Sequence, residues 1–305
     1  MIDPPFPGYV AVMTVRFGVF VPQGWKMDLT EIADPVEQYE AMTAVARAAD
    51  AGPWDSVWVY DHFHTTPEPT INTTFECWTV TSTLARDTSR VNIGQMVGCN
   101  GYRQPSLYAK IASTVDVASR GRLYAGLGAG WYEHEWKAYG YEWTEVPQRM
   151  GQFREAVEII VKMWTEDEPV FNGRHYSIDK PINEPRGVRQ PHPSFWLGGG
   201  GEKVTLKLVA QYADACNVGG GDPELIRRKL DVLRGHCDAL GRDYDRIIKS
   251  TSLDLDLNES TADTIGRVQR MVEAGADYVI VYVPRVAYDH EPMLRFAQDV
   301  IPQFG

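Results

Sequence analysis

The sequence predicts a closed (β/α)8 barrel, the TIM-barrel class of α/β fold, and three observations carry that prediction. Short β-branched, apolar runs alternate with helix-patterned stretches from one end of the chain to the other. Those runs number eight, and most are too continuously apolar to have a wet face, which is the pattern of a parallel sheet covered by helices. The length, 305 residues, suits one barrel of about 250 residues plus insertions. A doubly wound open sheet would show the same alternation, but the count of eight favours closure.

The first strand is expected over 15–21, closed by Pro22, and a helix over 35–51 with Val36, Tyr39, Ala46 and Ala49 near one side. A strand over 56–60, a helix over 78–86 and a strand over 91–98 follow. The next helix, 105–119, opens on Pro105, which suits a first turn. Gly121 and Gly128 bound a fourth strand at 123–127, and the fifth lies at 195–197 before a helix at 202–212. Strands at 214–218, 247–253 and 278–283 alternate with helices at 223–240, 261–274 and 291–300. Between Trp164 and Pro193 lie Pro169, Pro181, Pro185, Pro191 and Pro193, with Gly173 and Gly187. A long proline-rich excursion of this kind is usually functional, so 165–193 is expected as an insertion loop over the C-terminal mouth of the barrel. Residues 1–14 read as an N-terminal extension and 15–305 as a single barrel domain, without internal repeat or linker.

Composition narrows the function. With 44% hydrophobic and 23% charged residues the chain is that of a soluble globular protein. No apolar run approaches the ~18 residues a membrane span requires. Residues 1–13 contain Asp3, three prolines and no basic residue, unlike a secretion signal. A net charge of −11 repels polyanions and argues against nucleic acid as a partner. Cys77, Cys99, Cys216 and Cys237 are scattered, without the spacing of a zinc site, as reduced cytoplasmic thiols would be. The expectation is a cytoplasmic enzyme with a small-molecule substrate and no metal.

In such a barrel the chemistry sits at the C-terminal strand ends. Asp61-His62 directly follows the second strand, and an imidazole there can move a proton near neutral pH; a pair that only caps the strand is the alternative. At the end of the third strand stand Gln95, Met96, Val97, Gly98, Cys99 and Asn100, then Gly101-Tyr102-Arg103. Gly98 and Gly101 remove side chains and leave room for a flat ring, and Tyr102 and Arg103 are suited to hold a planar anion, although an ordinary turn explains them equally. Gly126-Leu127-Gly128-Ala129-Gly130 follows the fourth strand and leads into Trp131 and Tyr132. This is a weak anion-binding signal, and the consecutive Glu133, His134 and Glu135 make a poor metal cluster. The stronger signal is Gly198-Gly199-Gly200-Gly201 after the fifth strand, with Glu202, Lys203, Val204 and Thr205 opening a helix. Glycines at a strand-to-helix junction leave amides free to surround a phosphate, and Lys203 and the Thr205 hydroxyl are close enough to help. A triplet at Gly219–Gly221 fits a plain loop and a place beside the same pocket equally well. Trp54, Trp58, Trp78, Trp164 and Trp196 are expected in the core, and Trp25, Trp131 and Trp143 in mouth loops.

In this order the motifs resemble the luciferase-like oxidoreductase superfamily, and within it the actinobacterial branch that uses the deazaflavin coenzyme F420. The resemblance rests on residues 17–23, 56–63, 102–105 with Ala109-Lys110, 121–123, 126–132 and 198–202, and covers nearly the whole chain. It implies a cofactor ring in the barrel mouth, backed by a bulge around Val97-Gly98-Cys99, often with a non-proline cis peptide. The Gly200–Thr205 turn, with Ala129 and Gly130, would receive its phosphate, and Asp61 and His62 would stand near the reactive ring edge. At Ala129 the related sugar-phosphate dehydrogenases carry a catalytic glutamate, and luciferase-type members an arginine for the FMN phosphate, so both departures bear on activity and cofactor. The resemblance thus implies an F420-dependent oxidoreductase passing a hydride to or from a small organic substrate, acting as a homodimer. An FMN-dependent monooxygenase with a separate reductase, and a non-catalytic flavin or F420 binder, are the alternatives.

Overall fold

Each strand run of the sequence becomes one stave of a cylinder in the computed structural model, which describes residues 14–305. The extension expected over 1–14 therefore lies, Thr14 apart, outside the described residues. In chain order the strands are β1 (Arg16–Phe20), β2 (Ser56–Val59), β3 (Asn92–Gln95), β4 (Gly98–Cys99), β5 (Leu123–Gly128), β6 (Val170–Asn172), β7 (Ser177–Asp179), β8 (Ser194–Gly198), β9 (Ala215–Asn217), β10 (Ile248–Asp254) and β11 (Tyr278–Tyr282). Apart from the antiparallel β6–β7 hairpin, they pair in parallel in the order β3-β2-β1-β11-β10-β9-β8-β5-β4, and a β3–β5 pairing closes the ring. Because β3 and β4 are two halves of one interrupted strand, the barrel has eight staves.

The helices are α1 (Pro35–Ala51), α2 (Cys77–Asp87), α3 (Pro105–Ser119), α4 (Glu133–Ala138), α5 (Val146–Thr165), α6 (Thr205–Tyr212), α7 (Pro223–Leu240), α8 (Thr261–Glu273) and α9 (Glu291–Arg295). At α1 and α7 an Asp-Pro pair sets the start. Asp34 and Asp222 accept the first free amides, and the following proline needs none. Three departures from expectation have local causes. The helix expected from residue 202 begins only at Thr205, because the glycine turn continues through Val204. The last helix is α-helical to Arg295 and then widens into a π turn over Phe296–Val300. Between β5 and β8, α4 and α5 are additional; the buried stripe Phe153, Val157, Ile160 and Trp164 is the helical signal for α5.

The lower barrel is plugged by aromatic rings. Trp58 meets Trp196 edge-on with centroids 4.8 Å apart, and Trp196 meets Tyr278 likewise at 5.1 Å. The Tyr278 and Tyr124 hydroxyls donate to Asp55 at 2.6 and 3.1 Å and the Trp196 indole donates to Ser194 at 3.1 Å, whereas the buried Trp58 Nε1 has no partner among the described residues. Gly18 and Gly94 face Trp58, and a Cβ on either would fall inside its indole. With the interior filled below, open volume remains at the C-terminal mouth.

The proline-rich excursion reaches that mouth only at its tip. The Glu155 carboxylate on α5 accepts the amides of Arg174, His175 and Tyr176 at 2.8–3.0 Å, fixing the β6–β7 turn to the helix. Farther along, Asn183 donates to Ser113 and to the Met163 carbonyl, and the Arg189 amide donates to Asp116, so this part lies on the flank of α3 and α5. Tyr176, 3.5 Å from Asn100 through its hydroxyl, is the contact at the mouth.

Gly94→Ala should lower the stability measured by urea unfolding by about 1–3 kcal/mol, the scale of core overpacking. Gly235→Ala, on α7 with nothing within 4 Å of a new Cβ, should raise it by about 0.4–1 kcal/mol.

Candidate active site at the barrel mouth

The site begins with a break in the third stave. Between β3 and β4 the Met96–Val97 peptide is cis. The Val97 side chain turns toward neighbouring strands and is accommodated by glycines: a Cβ on Gly128 would lie 2.6 Å from Val97 Cγ2, and one on Gly198 2.7 Å from Cγ1. A Cβ on Gly126 would strike the Gln95 carbonyl. Gly126 and Gly128, read above as a weak anion signal, therefore serve the close approach of the kinked strand. Gly98 and Gly101, read as clearing space for a flat ring, are likewise filled from within. A Cβ on Gly98 would lie 2.7 Å from the Gly126 carbonyl, and one on Gly101 would overlap Trp136.

The interruption leaves the Cys99 amide to be satisfied by a side chain. Asp61 Oδ2 accepts it at 2.7 Å and also accepts from Arg103 Nη1 at 2.5 Å, while Arg103 Nη2 donates to Asp61 Oδ1 at 3.1 Å and Glu76 at 2.6 Å. Asp61 is buried, and its bidentate Arg103 partner compensates its charge. Arg103, expected as an anion ligand, is thus committed to Asp61 and Glu76. Tyr102 is buried as well, its hydroxyl donating to Glu135 at 2.5 Å.

His62 stands at the end of β2 with its ring stacked on Trp25, centroids 4.4 Å apart and planes within 4°. Its Nδ1 lies 2.9 Å from Glu135 Oε2. Glu135 on α4 is fully buried and accepts from four donors: His62, Tyr102, and the amides of Phe63 and His64. Burial alone would raise its pKa, but the bonds from His62, Tyr102 and the His64 amide outweigh it and hold the carboxyl below the ordinary carboxylate range. An ionised Glu135 is an acceptor only, so Nδ1 carries the hydrogen and Nε2 is left to accept or deliver a proton. His62, Trp25, Tyr60, Met96, Trp131 and Tyr132 wall a cavity of about 160 Å³.

A larger cleft of about 710 Å³ shares Met96, Val97, Gly130 and Trp131 with that cavity. On one side stand Ala129 and Gly130, the latter at φ +82°; on the other runs Gly199 to Thr205. Gly199 has φ +113°, open to glycine and strained for other residues, and it turns the chain so that Gly200, Gly201 and Glu202 follow round the cleft. Among the described residues the amides of Gly200, Gly201, Glu202 and Lys203 have no backbone partner. Thr205 sits beneath the turn, its hydroxyl 2.9 Å from where a Gly201 Cβ would be. The Glu202 side chain does not face into the turn; Lys229 and Arg228 bind its carboxylate and hold it at a pKa of about 2.

The sequence candidates Met96, Val97, Ala129, Gly130, Gly199, Gly200, Gly201, Glu202 and Thr205 thus border one cleft. His62, Asp61, Cys99 and Tyr132 border the adjoining cavity. Gly98 and Asn100 are buried and line neither. Gly219–Gly221 is absent from both linings, and a Cβ on Gly219 would strike Ile226. Trp143 packs on Trp136 and Arg149 and is absent from both linings. Arg228 and Lys229 escaped the sequence reading, and Glu135 entered it only as a member of a poor metal cluster. For Glu135 a signal exists: it sits beside buried Trp136 and one helical turn from Tyr132, a carboxylate on an apolar face.

A family model described as luciferase-like monooxygenase matches residues 15–282. The chain is 27% identical over 137 residues to an FMNH(2)-dependent dimethylsulfone monooxygenase of Pseudomonas putida, covering 45% of this chain and 38% of that protein. It is 29% identical over 227 residues to an F420-dependent glucose-6-phosphate dehydrogenase of Amycolatopsis mediterranei, covering 72% and 66%. The chain thus spans 38% and 66% of the lengths of these two relatives. The solved structure of an F420-dependent secondary alcohol dehydrogenase in complex with an F420-acetone adduct superposes with a TM-score of 0.72 at 18% identity, covering 96% of this chain and 98% of that one, a likeness of fold.

The lowered Glu135 pKa has a signed consequence. Its stabilising contribution is fully present above the ordinary value of 4.5 and is lost as pH falls through the lower folded-state value. In urea unfolding series between pH 3 and 7, Glu135→Ala should be less stable than the wild type near neutrality, and the gap should narrow below pH 4.5. A gap that stays constant would show that the carboxylate's charge contributes nothing.

Proposed function

The chain belongs to the luciferase-like monooxygenase family, and we propose that it is an F420-dependent oxidoreductase acting on a small organic molecule. The observation that supports this reading best is the His62–Glu135 pair opening on a cavity that adjoins a glycine-turned cleft. When bound, the deazaflavin supplies the hydride chemistry, and the protein supplies position and electrostatics.

The residues present fit such a group. Free amides from Gly200 to Lys203 and the Thr205 hydroxyl offer an anionic group five donors in one turn. Met96, Val97 and Ala129 offer a flat, mostly apolar wall between that turn and His62. His62, its tautomer held by Glu135, takes or gives the proton that accompanies reduction or oxidation of the substrate at Nε2. Asp61 works as a positioning residue: it holds the Cys99 amide and Arg103, keeping the strand kink in place. Trp25 stacked on His62, and Trp131 and Tyr132 with their edges toward it, keep water from the imidazole.

Two experiments test this reading. Titration of the purified chain with F420 and with FMN should give saturable binding of F420 in the tighter range; tighter FMN binding would move the protein to the monooxygenase alternative. His62→Ala should leave F420 affinity within about twofold and slow turnover by roughly 10²-fold or more, the scale of a lost general acid–base group. Unchanged turnover would remove His62 from the mechanism.

A further inference from the structure

At the outer end of the large cleft two cations on α7, Arg228 and Lys229, face the glycine turn. Both are bound by one oxygen of Glu202: Lys229 Nζ donates to Oε1 at 2.8 Å, and Arg228 donates to it from Nε at 2.9 Å and Nη2 at 2.6 Å. Lys229 is the enclosed member, its side chain 13% exposed against 65% for Arg228. Its stem crosses Gly200 so closely that a Cβ there would lie 3.1 Å from Lys229 Cε. Glu202 is tethered to α7 by a second contact, its carbonyl 2.8 Å from His236 Nε2.

Charge makes this arrangement more than a surface ion pair. Lys203, Arg228 and Lys229 line the cleft against the single carboxylate of Glu202, leaving a local excess of two positive charges. The chain as a whole carries −11. Like-charged side chains brought together beside unpaired amides concentrate positive potential at one end of the cleft, which favours an anion there. The turn's amides can receive one anionic group, and the α7 cations stand beyond it on the same rim.

We propose that Arg228 and Lys229 form a second anion subsite of the cofactor cleft, and that Glu202 is its internal counter-anion, displaced when an outer carboxylate of the cofactor reaches the two cations. This rests on the F420 reading: F420 continues beyond its phosphate into carboxylates, whereas FMN ends at its phosphate. Glu202 then acts as a selectivity element. An anion must offer more than Glu202 does to take the cations over, so a ligand with a single phosphate in the glycine turn gains nothing from them.

The test is the dissociation constant of the full-length chain for F420 and for FMN, measured by fluorescence titration in low salt, for the wild type, Lys229→Ala, Arg228→Ala and Glu202→Gln. F420 binding should weaken by roughly 3- to 10-fold in Lys229→Ala, weaken less in Arg228→Ala, and tighten by roughly 3-fold in Glu202→Gln, the scale expected of partly exposed ion pairs. FMN binding should change by less than about twofold throughout. A gain of affinity in Glu202→Gln cannot come from misfolding, which keeps the test decisive if an α7 variant is unstable. Saturable F420 binding unchanged in all three variants, or equal effects on FMN, would overturn the subsite and leave the cofactor reading standing. No saturable F420 binding by the wild type would overturn both.

Discussion

The geometry of the mouth depends on one steric constraint: the Val97 side chain must find room against β5 and β8, which run side by side next to the bent stave. Gly128 on β5 and Gly198 on β8 supply that room, and Gly126 lets β5 approach the Gln95 carbonyl. The chain can then bend between β3 and β4 without pushing the barrel open. A cleft forms where the bend draws the strand out of line, and the turn after Gly198 begins on its far side. Fold and site are thus coupled through absent methyl groups, since an interior at crystal-like density has no slack for them.

Interrupting a barrel strand also breaks its hydrogen-bond ladder, and the consequences spread through buried charges. The Cys99 amide takes Asp61 as its acceptor, Asp61 requires Arg103, and Arg103 also binds Glu76 at the start of α2. Next to this chain lies a second buried carboxylate, Glu135, which gathers the amides of Phe63 and His64, the Tyr102 hydroxyl and His62. Neither carboxylate is left unpaired, as a low-dielectric site requires. Together they fix the loop after β2 from both sides, which explains how a single imidazole is held in the wall of the smaller cavity.

Much of this was legible along the chain. Alternation of apolar runs with helical spacing, Asp-Pro helix starts at 34–35 and 222–223, and a glycine quartet before Thr205 are local signals, and each corresponds to an element of the structure. The readings that changed concerned what fills the space beside a residue. Gly98, Gly101, Gly126 and Gly128 signalled open backbone, yet a tryptophan, a valine and carbonyl oxygens from distant segments occupy the space they leave. Tyr102 and Arg103 signalled an anion site, yet internal carboxylates hold both. The proline-rich segment signalled a mouth loop, and Glu155, Ser113 and Asp116 decide that most of it lies on the flank.

The sequence by itself determined the barrel and the place of the Asp61-His62 pair at a strand end, because periodicity and side-chain identity are properties of neighbouring residues. Tertiary structure alone decided that Glu135, 73 positions away, orients that histidine, and that Arg228 and Lys229 meet Glu202 across the rim of the cleft. The reason is physical: a hydrogen bond or ion pair depends on distances of about 3 Å, and closure of the barrel sets those distances between residues that no local pattern relates.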